Sequence, residues 1–378
     1  MAVLPGATIG ILGGGQLGRM FALAAKRMGY RVAVLEPSAD SPCGQVADIV
    51  IQKPYADQSG LKELASVSAA LTYEFENVDA IAVEFLEAQK TPVHPSSKAL
   101  RITQDRILEK VFVRDCGIPV TPFAPIRSAQ ELEAAMAQVG FPSFLKTSRG
   151  GYDGKGQIRV ENVEEGRKAF AEFSGRDLIL ERLVPFVKEI SVVACRGSDG
   201  AFASYLPSEN MHVRNILDLA ILPARVSEST AQAAKEIARK VAEGLSIVGT
   251  FCVELFEVAD GSLMLNEIAP RPHNSGHSTI DACLCSQFEQ QVRAVCGLPL
   301  GSTELLRCAA MINLVGTGEG DQLDGVEELL RDPDVSLHLY GKTHAPKGRK
   351  MGHFTVLANT PDEAEKRARE LQKLLRWK

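Results

Sequence analysis
A chain of 378 residues, 45% hydrophobic and 24% charged, is long enough for two or three domains with ample core. Its formal net charge of −5, with no basic block interleaved with aromatics, argues against a nucleic-acid-binding protein. It has no apolar run of about 18 residues to span a membrane and no charged leader with a cleavage site, so a cytoplasmic protein is expected.

Ile9 to Leu12 reads as a buried strand, and Gly13, Gly15 and Gly18 follow it at G-x-G-x-x-G spacing. Leu17 to Met28 is apolar at helical spacing, closed by Gly29. Arg31 to Leu35 is a second strand with Glu36 at its end, where a dinucleotide fold keeps a ribose-binding carboxylate. The same geometry serves any phosphate over a helix N-terminus, or a tight strand-to-helix turn with no nucleotide. NAD is therefore one reading among three at this point.

Further along, Ala69 to Tyr73 is a strand entering EFENV, and Ala80 to Gln89 a short helix. Arg101 to Cys116 reads as one charged amphipathic helix ended by Gly117 and Pro119, a candidate domain boundary. Phe144 to Lys146 begins a strand that runs into SRGGYDGKGQ, Ser148 to Gln157. Backbone N–H groups of such a glycine loop can wrap phosphate oxygens, with Arg149 and Lys155 adding charge. It is not a Walker A loop, and a plain hairpin tip turning at Asp153–Gly154 is the alternative. Strands follow at Leu178 to Leu183 and Ile190 to Cys195, then a helix at Ser229 to Gly244. A helix is expected over Asp281 to Val295, and a small unit after Leu300 ends in a helix from Pro361 to Leu375. The eight cysteines form no C-x-x-C pair and read as buried small hydrophobes.

The hairpin FCVELFEV-ADGS-LMLNEIAP carries the strongest constellation. With Asp260–Gly261 at its tip, Glu254 lies opposite Glu267 on one face. Two carboxylates so placed destabilise a sheet unless a cation lies between them, and Mg²⁺ takes such oxygens together with phosphates. Asn266, Arg271, His273 and Asn274 adjoin. Solvated glutamates on a half-exposed hairpin are the bland reading. Glu181, Glu189 and His212, each alone, read as surface residues.

Taken together, GILGGGQLGRM, TYEFENV, GGYDGKGQ, ERL…KEISVV, NEIAPRPHNSGH and GRKMGH resemble the blocks of the ATP-grasp superfamily. More narrowly, the whole chain resembles the N5-carboxyaminoimidazole ribonucleotide synthetase family, ATP-dependent carboxylases of purine synthesis. The resemblance implies an α/β ATP-grasp fold in three parts. These are a Rossmann-like pre-ATP-grasp domain (1–100), an ATP-grasp domain (101–298, small subdomain about 118–183) and a small C-terminal domain (299–378).

It also implies ATP, bicarbonate and 5-aminoimidazole ribonucleotide as ligands, Mg²⁺ (two ions with ATP), no NAD, and a homodimer. Arg101 and Lys146 would meet the phosphates, and Gly151, Tyr152, Asp153, Gly154, Lys155, Gly156 and Gln157 would close over them. Glu181, Arg182, Leu183 and Val184 would hold the adenine edge, Glu189 the ribose, and His212 would line the same site. Glu254 and Glu267 would bind the metal, supported by Asn266. The ribonucleotide would contact Gly15, Gln16, Leu17 and Glu76, with Arg271, His273 and Asn274 at its reacting end and Lys342, Arg349 and Lys350 at its 5′-phosphate. Arg271, Lys146, Tyr152 and Asp153 would be catalytic. A sister enzyme such as the formate-dependent glycinamide ribonucleotide transformylase, an NAD-dependent dehydrogenase and a non-catalytic nucleotide sensor are the competing readings.

Overall fold
The computed structural model describes residues 2–151, 155–173 and 175–378. The first sheet is parallel, in the spatial order Ile49–Ile51, Arg31–Leu35, Thr8–Leu12, Ala70–Tyr73. Its strands are near-continuous apolar runs because both faces are buried. Helix Gln16–Arg27 turns Phe21, Ala22 and Ala25 inward, into one cluster with Phe288, Val292 and Val295 of helix Gln287–Val295. The N-terminal sheet is thereby packed against a helix from much later in the chain.

A second, antiparallel sheet orders Phe123–Ile126, Leu178–Arg182, Ser143–Thr147 and Gln157–Val160. Helices Ala129–Val139 and Val163–Glu172 close a separate core with it, around Ile126, Leu132, Leu145 and Leu180. The third sheet is the largest among the described residues. It runs Leu263–Ala269, Gly249–Val258, Phe186–Arg196, Ser208–Val213, Ile216–Leu222, Cys308–Val315, Lys350–Ala358, Val335–Leu339. Leu219 pairs with Ile312, so strands of the C-terminal unit continue this central sheet.

Two expected helices are each broken by a cap. The segment read as Arg101 to Cys116 is split into Ser97–Thr103 and Arg106–Asp115. Asp105 stands extended between them and accepts the N–H groups of Ile107 (3.0 Å) and Leu108 (3.2 Å). The segment Asp281 to Val295 divides into Thr279–Ala282 and Gln287–Val295, with Ser286 capping the second through the Glu289 N–H at 3.1 Å. All eight cysteines are free thiols, six of them buried.

Candidate active site
The glycine fingerprint is occupied by the protein itself. The N–H groups of Gly15 and Gly18 donate to the Glu74 carboxylate, the latter at 2.7 Å, and that of Gly14 donates to Glu36 at 2.8 Å. These are the donors a pyrophosphate would take in a dinucleotide fold. A Cβ on Gly14 or Gly15 would sit 2.5 Å from Glu36 or Glu74, so the glycines make room for carboxylates. Burial pushes the Glu74 carboxyl up to about 6, against the pull of the two N–H donors. Glu36, the candidate ribose anchor, is a brace that also accepts the Ser38 N–H and the Tyr55 hydroxyl.

Beside this loop lies a cavity of about 470 Å³ lined from the units built on the three sheets just described. From the first unit come Gln16, Leu17 and Glu76, and from the small sheet Lys146, Lys155 and Gln157. The central sheet contributes Glu189, His212, Glu254, Asn266 and Glu267. The loop after it adds Arg271, His273 and Asn274, and the C-terminal unit adds Lys350.

Other expected residues stand off this cavity. Gly15 faces Glu74, and Lys342 stands behind Gln16, its ammonium 2.6 Å from the Gln16 amide oxygen. Arg349 bonds the His344 carbonyl at 3.1 Å. Glu181 is buried against Lys146, and Arg182 bonds the Val139 carbonyl at 3.2 Å. The Leu183 N–H is used by Pro142, and Val184 is buried. Gly156 forms the foot of its loop, its carbonyl accepting the Thr147 N–H at 2.9 Å. Gly151 lines a side recess with Arg106 and Glu267. Tyr152, Asp153 and Gly154 lie outside the described residues.

Arg101 needs correction. It sits on the outside, 45% exposed and paired with an equally exposed Glu84. The arginine that enters the cavity is Arg106, at 3.3 Å from both Glu267 Oε2 and the Gly151 carbonyl. The Asp105 cap sets this register, since it starts a new helix with Arg106 as its first residue. Asn77, within the TYEFENV block, and Asn215 also line the cavity and are not among the expected residues; Asn215 is presented by a tight turn with both Arg214 and Asn215 at positive φ.

Glu254 does pair with Glu267, by a less direct route than expected. The tip is offset by one residue, with the Val258 N–H on the Ser262 carbonyl, and a bulge between Glu254 and Leu255 restores the register. Each carboxylate has a cationic partner on its outer side. His273 Nε2 is 2.9 Å from Glu254, and Arg106 meets Glu267. Burial would raise the Glu254 carboxyl, but His273, His212 and Arg271 hold it down at about 2. Arg271 grips Glu76 with two nitrogens, and His212 bonds Glu189. Gln287 clamps the His273 backbone, accepting its N–H (2.8 Å) and donating to its carbonyl (2.7 Å). Among the described residues no three His, Cys, Asp or Glu side chains converge to hold a metal alone. Two carboxylates with open space beside them suit Mg²⁺ only when phosphates complete its shell.

Beneath the cavity, Glu181 accepts from Lys146 at 3.0 Å. Burial raises its carboxyl, but Lys110, Lys146 and Arg106 outweigh that and hold it at about 2. A carboxyl depressed from an ordinary 4.5 contributes stability that is complete above about 4.5 and is lost as pH falls toward 2. The loss is on the order of 3 kcal/mol. Melting temperature is therefore expected to fall less steeply over pH 4.5 to 2 in Glu181→Gln than in the unmodified protein; parallel curves would refute this.

Comparison with known proteins covers all three parts of the fold. Residues 6–104 match the ribonucleotide synthetase pre-ATP-grasp domain, 111–288 the ATP-grasp domain, and 309–367 the phosphoribosylaminoimidazole carboxylase C-terminal domain. The N5-carboxyaminoimidazole ribonucleotide synthase of Bacillus subtilis is 46% identical over 96% of this chain and 94% of its own. That of Brucella melitensis is 45% identical over 93% and 96%. The Staphylococcus aureus synthetase complexed with ADP superposes with a TM-score of 0.91 at 38% identity, covering 98% of both chains. The Aspergillus clavatus synthase in complex with ADP and 5-aminoimidazole ribonucleotide gives 0.90 at 34% identity, covering 97% of this chain and 98% of that one. With likeness of sequence and fold sustained from the glycine loop to the C-terminal strands, the chain belongs to the N5-carboxyaminoimidazole ribonucleotide synthase family of ATP-grasp ligases.

Proposed function
We propose that this protein uses ATP to carboxylate the amine of 5-aminoimidazole ribonucleotide with bicarbonate. One observation carries the reading. Two cations, Lys146 and Arg106, share a single cavity with the Glu254–Glu267 pair and with Arg271 and His273. Bicarbonate is a poor electrophile, so an amine does not attack it unaided. Transfer of the γ-phosphoryl group to a bicarbonate oxygen gives ADP and carboxyphosphate. The amine nitrogen then attacks the carboxyl carbon, phosphate leaves with the C–O bonding pair, and the nitrogen loses a proton, giving the carbamate. Lys146 and Arg106 offset phosphate charge, and Arg271 holds the carboxylated intermediate. Mg²⁺, two ions held through Glu254 and Glu267 with Asn266 adjoining, supplies charge neutralisation when bound with ATP.

The ribonucleotide takes the Gln16–Leu17 end. Lys342, Arg349 and Lys350 would receive its 5′-phosphate. Burial and the repulsion of Arg349 push the Lys342 ammonium down to about 8, a strain a phosphate dianion relieves. Glu76 is committed to Arg271, so it positions that guanidinium. The adenine edge rests on Glu181 to Val184, with Glu189 at the ribose and His212 beside it. Tyr152, Asp153 and Gly154 belong with the loop that covers the phosphates. A homodimer in the cytoplasm completes the proposal.

Carboxylation is favoured over formate transfer by the names of the relatives at 46% and 45% identity. In assay, ADP release should require the ribonucleotide and rise with bicarbonate. ADP release stimulated by formate instead, or ATP binding without turnover, would overturn the proposal.

A further inference from the structure
Lys110 is a lysine in the wrong place for an amphipathic helix. It lies on helix Arg106–Asp115 with its side chain 1% exposed, and it lines no part of the cavity. Its ammonium donates to the Asn266 carbonyl at 2.8 Å and stands 3.7 Å from Glu181 Oε2. The same Glu181 oxygen takes Lys146 at 3.0 Å, and its other oxygen has no hydrogen-bond partner among the described residues. Glu181 and Lys146 belong to the small sheet, Asn266 to the central hairpin. One buried carboxylate therefore serves two ammonium groups, across the junction of two sheets. Of the neighbouring charges, Arg106 also acts on Glu181 through space but hydrogen-bonds Glu267, and Glu109 accepts the Ile268 N–H at 2.9 Å.

A buried ion pair is costly unless it is balanced, and removing one partner leaves the other uncompensated. The trio of Lys110, Glu181 and Lys146 carries one net positive charge. Without Lys110, Glu181 and Lys146 would form a closed neutral pair, and Lys146 would have little charge left to offer a phosphate. We propose that Lys110 is a positioning residue, an electrostatic counterweight that shares Glu181 so that Lys146 stays available to the nucleotide phosphates. The inference rests on the reading of Lys146 as a phosphate contact.

The sign of a double-variant experiment separates this role from plain packing. Calorimetric titration with Mg·ADP should show Lys110→Met binding about tenfold more weakly, with KM for the ribonucleotide changed less than about twofold. In a Glu181→Gln background, whatever that change costs at the adenine edge, adding Lys110→Met should alter affinity less than about threefold, because no carboxylate is left to share. A loss on adding Lys110→Met to Glu181→Gln as large as the loss in the unmodified protein would overturn the counterweight, as would unchanged affinity in Lys110→Met. Should Lys110→Met fail to fold, the comparison of Glu181→Gln with the double variant stands alone, and a several-fold difference between them overturns the proposal. Failure of the unmodified protein to bind Mg·ADP would instead remove the reading of Lys146 itself.

Discussion

Glu267→Gln is expected to lower kcat/KM for ATP by about three orders of magnitude while leaving the fold intact. A bound metal contributes several kcal/mol of charge stabilisation in phosphoryl transfer, and each 1.36 kcal/mol is about a factor of ten in rate. The substitution keeps the shape of the side chain and removes its charge. The fold should tolerate it, because the Glu267 side chain is 39% exposed and the hairpin is held by its ladder from Cys252 to Glu257. The same change removes one of the two carboxylates proposed to hold Mg²⁺, so Mg²⁺-dependent ATP binding should weaken in parallel. Calorimetry with and without Mg²⁺, alongside steady-state rates, checks both. Turnover like that of the unmodified protein would reduce the glutamate pair to a solvated feature of the hairpin.

That pair was legible in the sequence because strand alternation and a turn dipeptide fix which residues face each other. Even so, the expected offset was reached only through a bulge that compensates a one-residue shift at the tip. Arg101 and Arg106 show the limit of periodicity. Both fit one amphipathic helix; only the cap at Asp105, a local hydrogen-bonding event, tells which arginine begins a new helix and enters the cavity. Lys110 and Glu109 were missed for another reason. Hydrophobic patterning assigns charged residues to the outer face, and here both are buried against partners far along the chain. The glycine loop misled in a third way. Its spacing reports an anion over a helix N-terminus, but not that the anion is Glu74, whose distance along the chain is bridged only by the parallel sheet.

Arg271→Ala is expected to reduce ligation by a similar factor while Mg·ADP binding survives. Arg271 lies beyond the Glu254–Glu267 hairpin, 15% exposed, with two nitrogens on Glu76 and Nη1 on the Pro272 carbonyl at 3.2 Å. Although burial opposes the charge, the Glu76 carboxylate keeps the guanidinium firmly protonated, and Arg271 in turn helps hold the Glu76 carboxyl at about 2 despite its own burial. A fixed, oriented cation of this kind suits a carboxylate or a phosphate oxygen. Removing it also strands Glu76, at a stability cost of about 3–5 kcal/mol, so alanine alone would mix two effects. Arg271→Lys separates them. It retains the charge that Glu76 needs and should recover most of the melting temperature. It loses the planar fork, so ligation should stay at least about tenfold to a hundredfold below the unmodified protein. Recovery of ligation together with stability in the lysine variant would make Arg271 a counter-ion for Glu76 and nothing more. Unchanged ligation in Arg271→Ala would remove it from the mechanism.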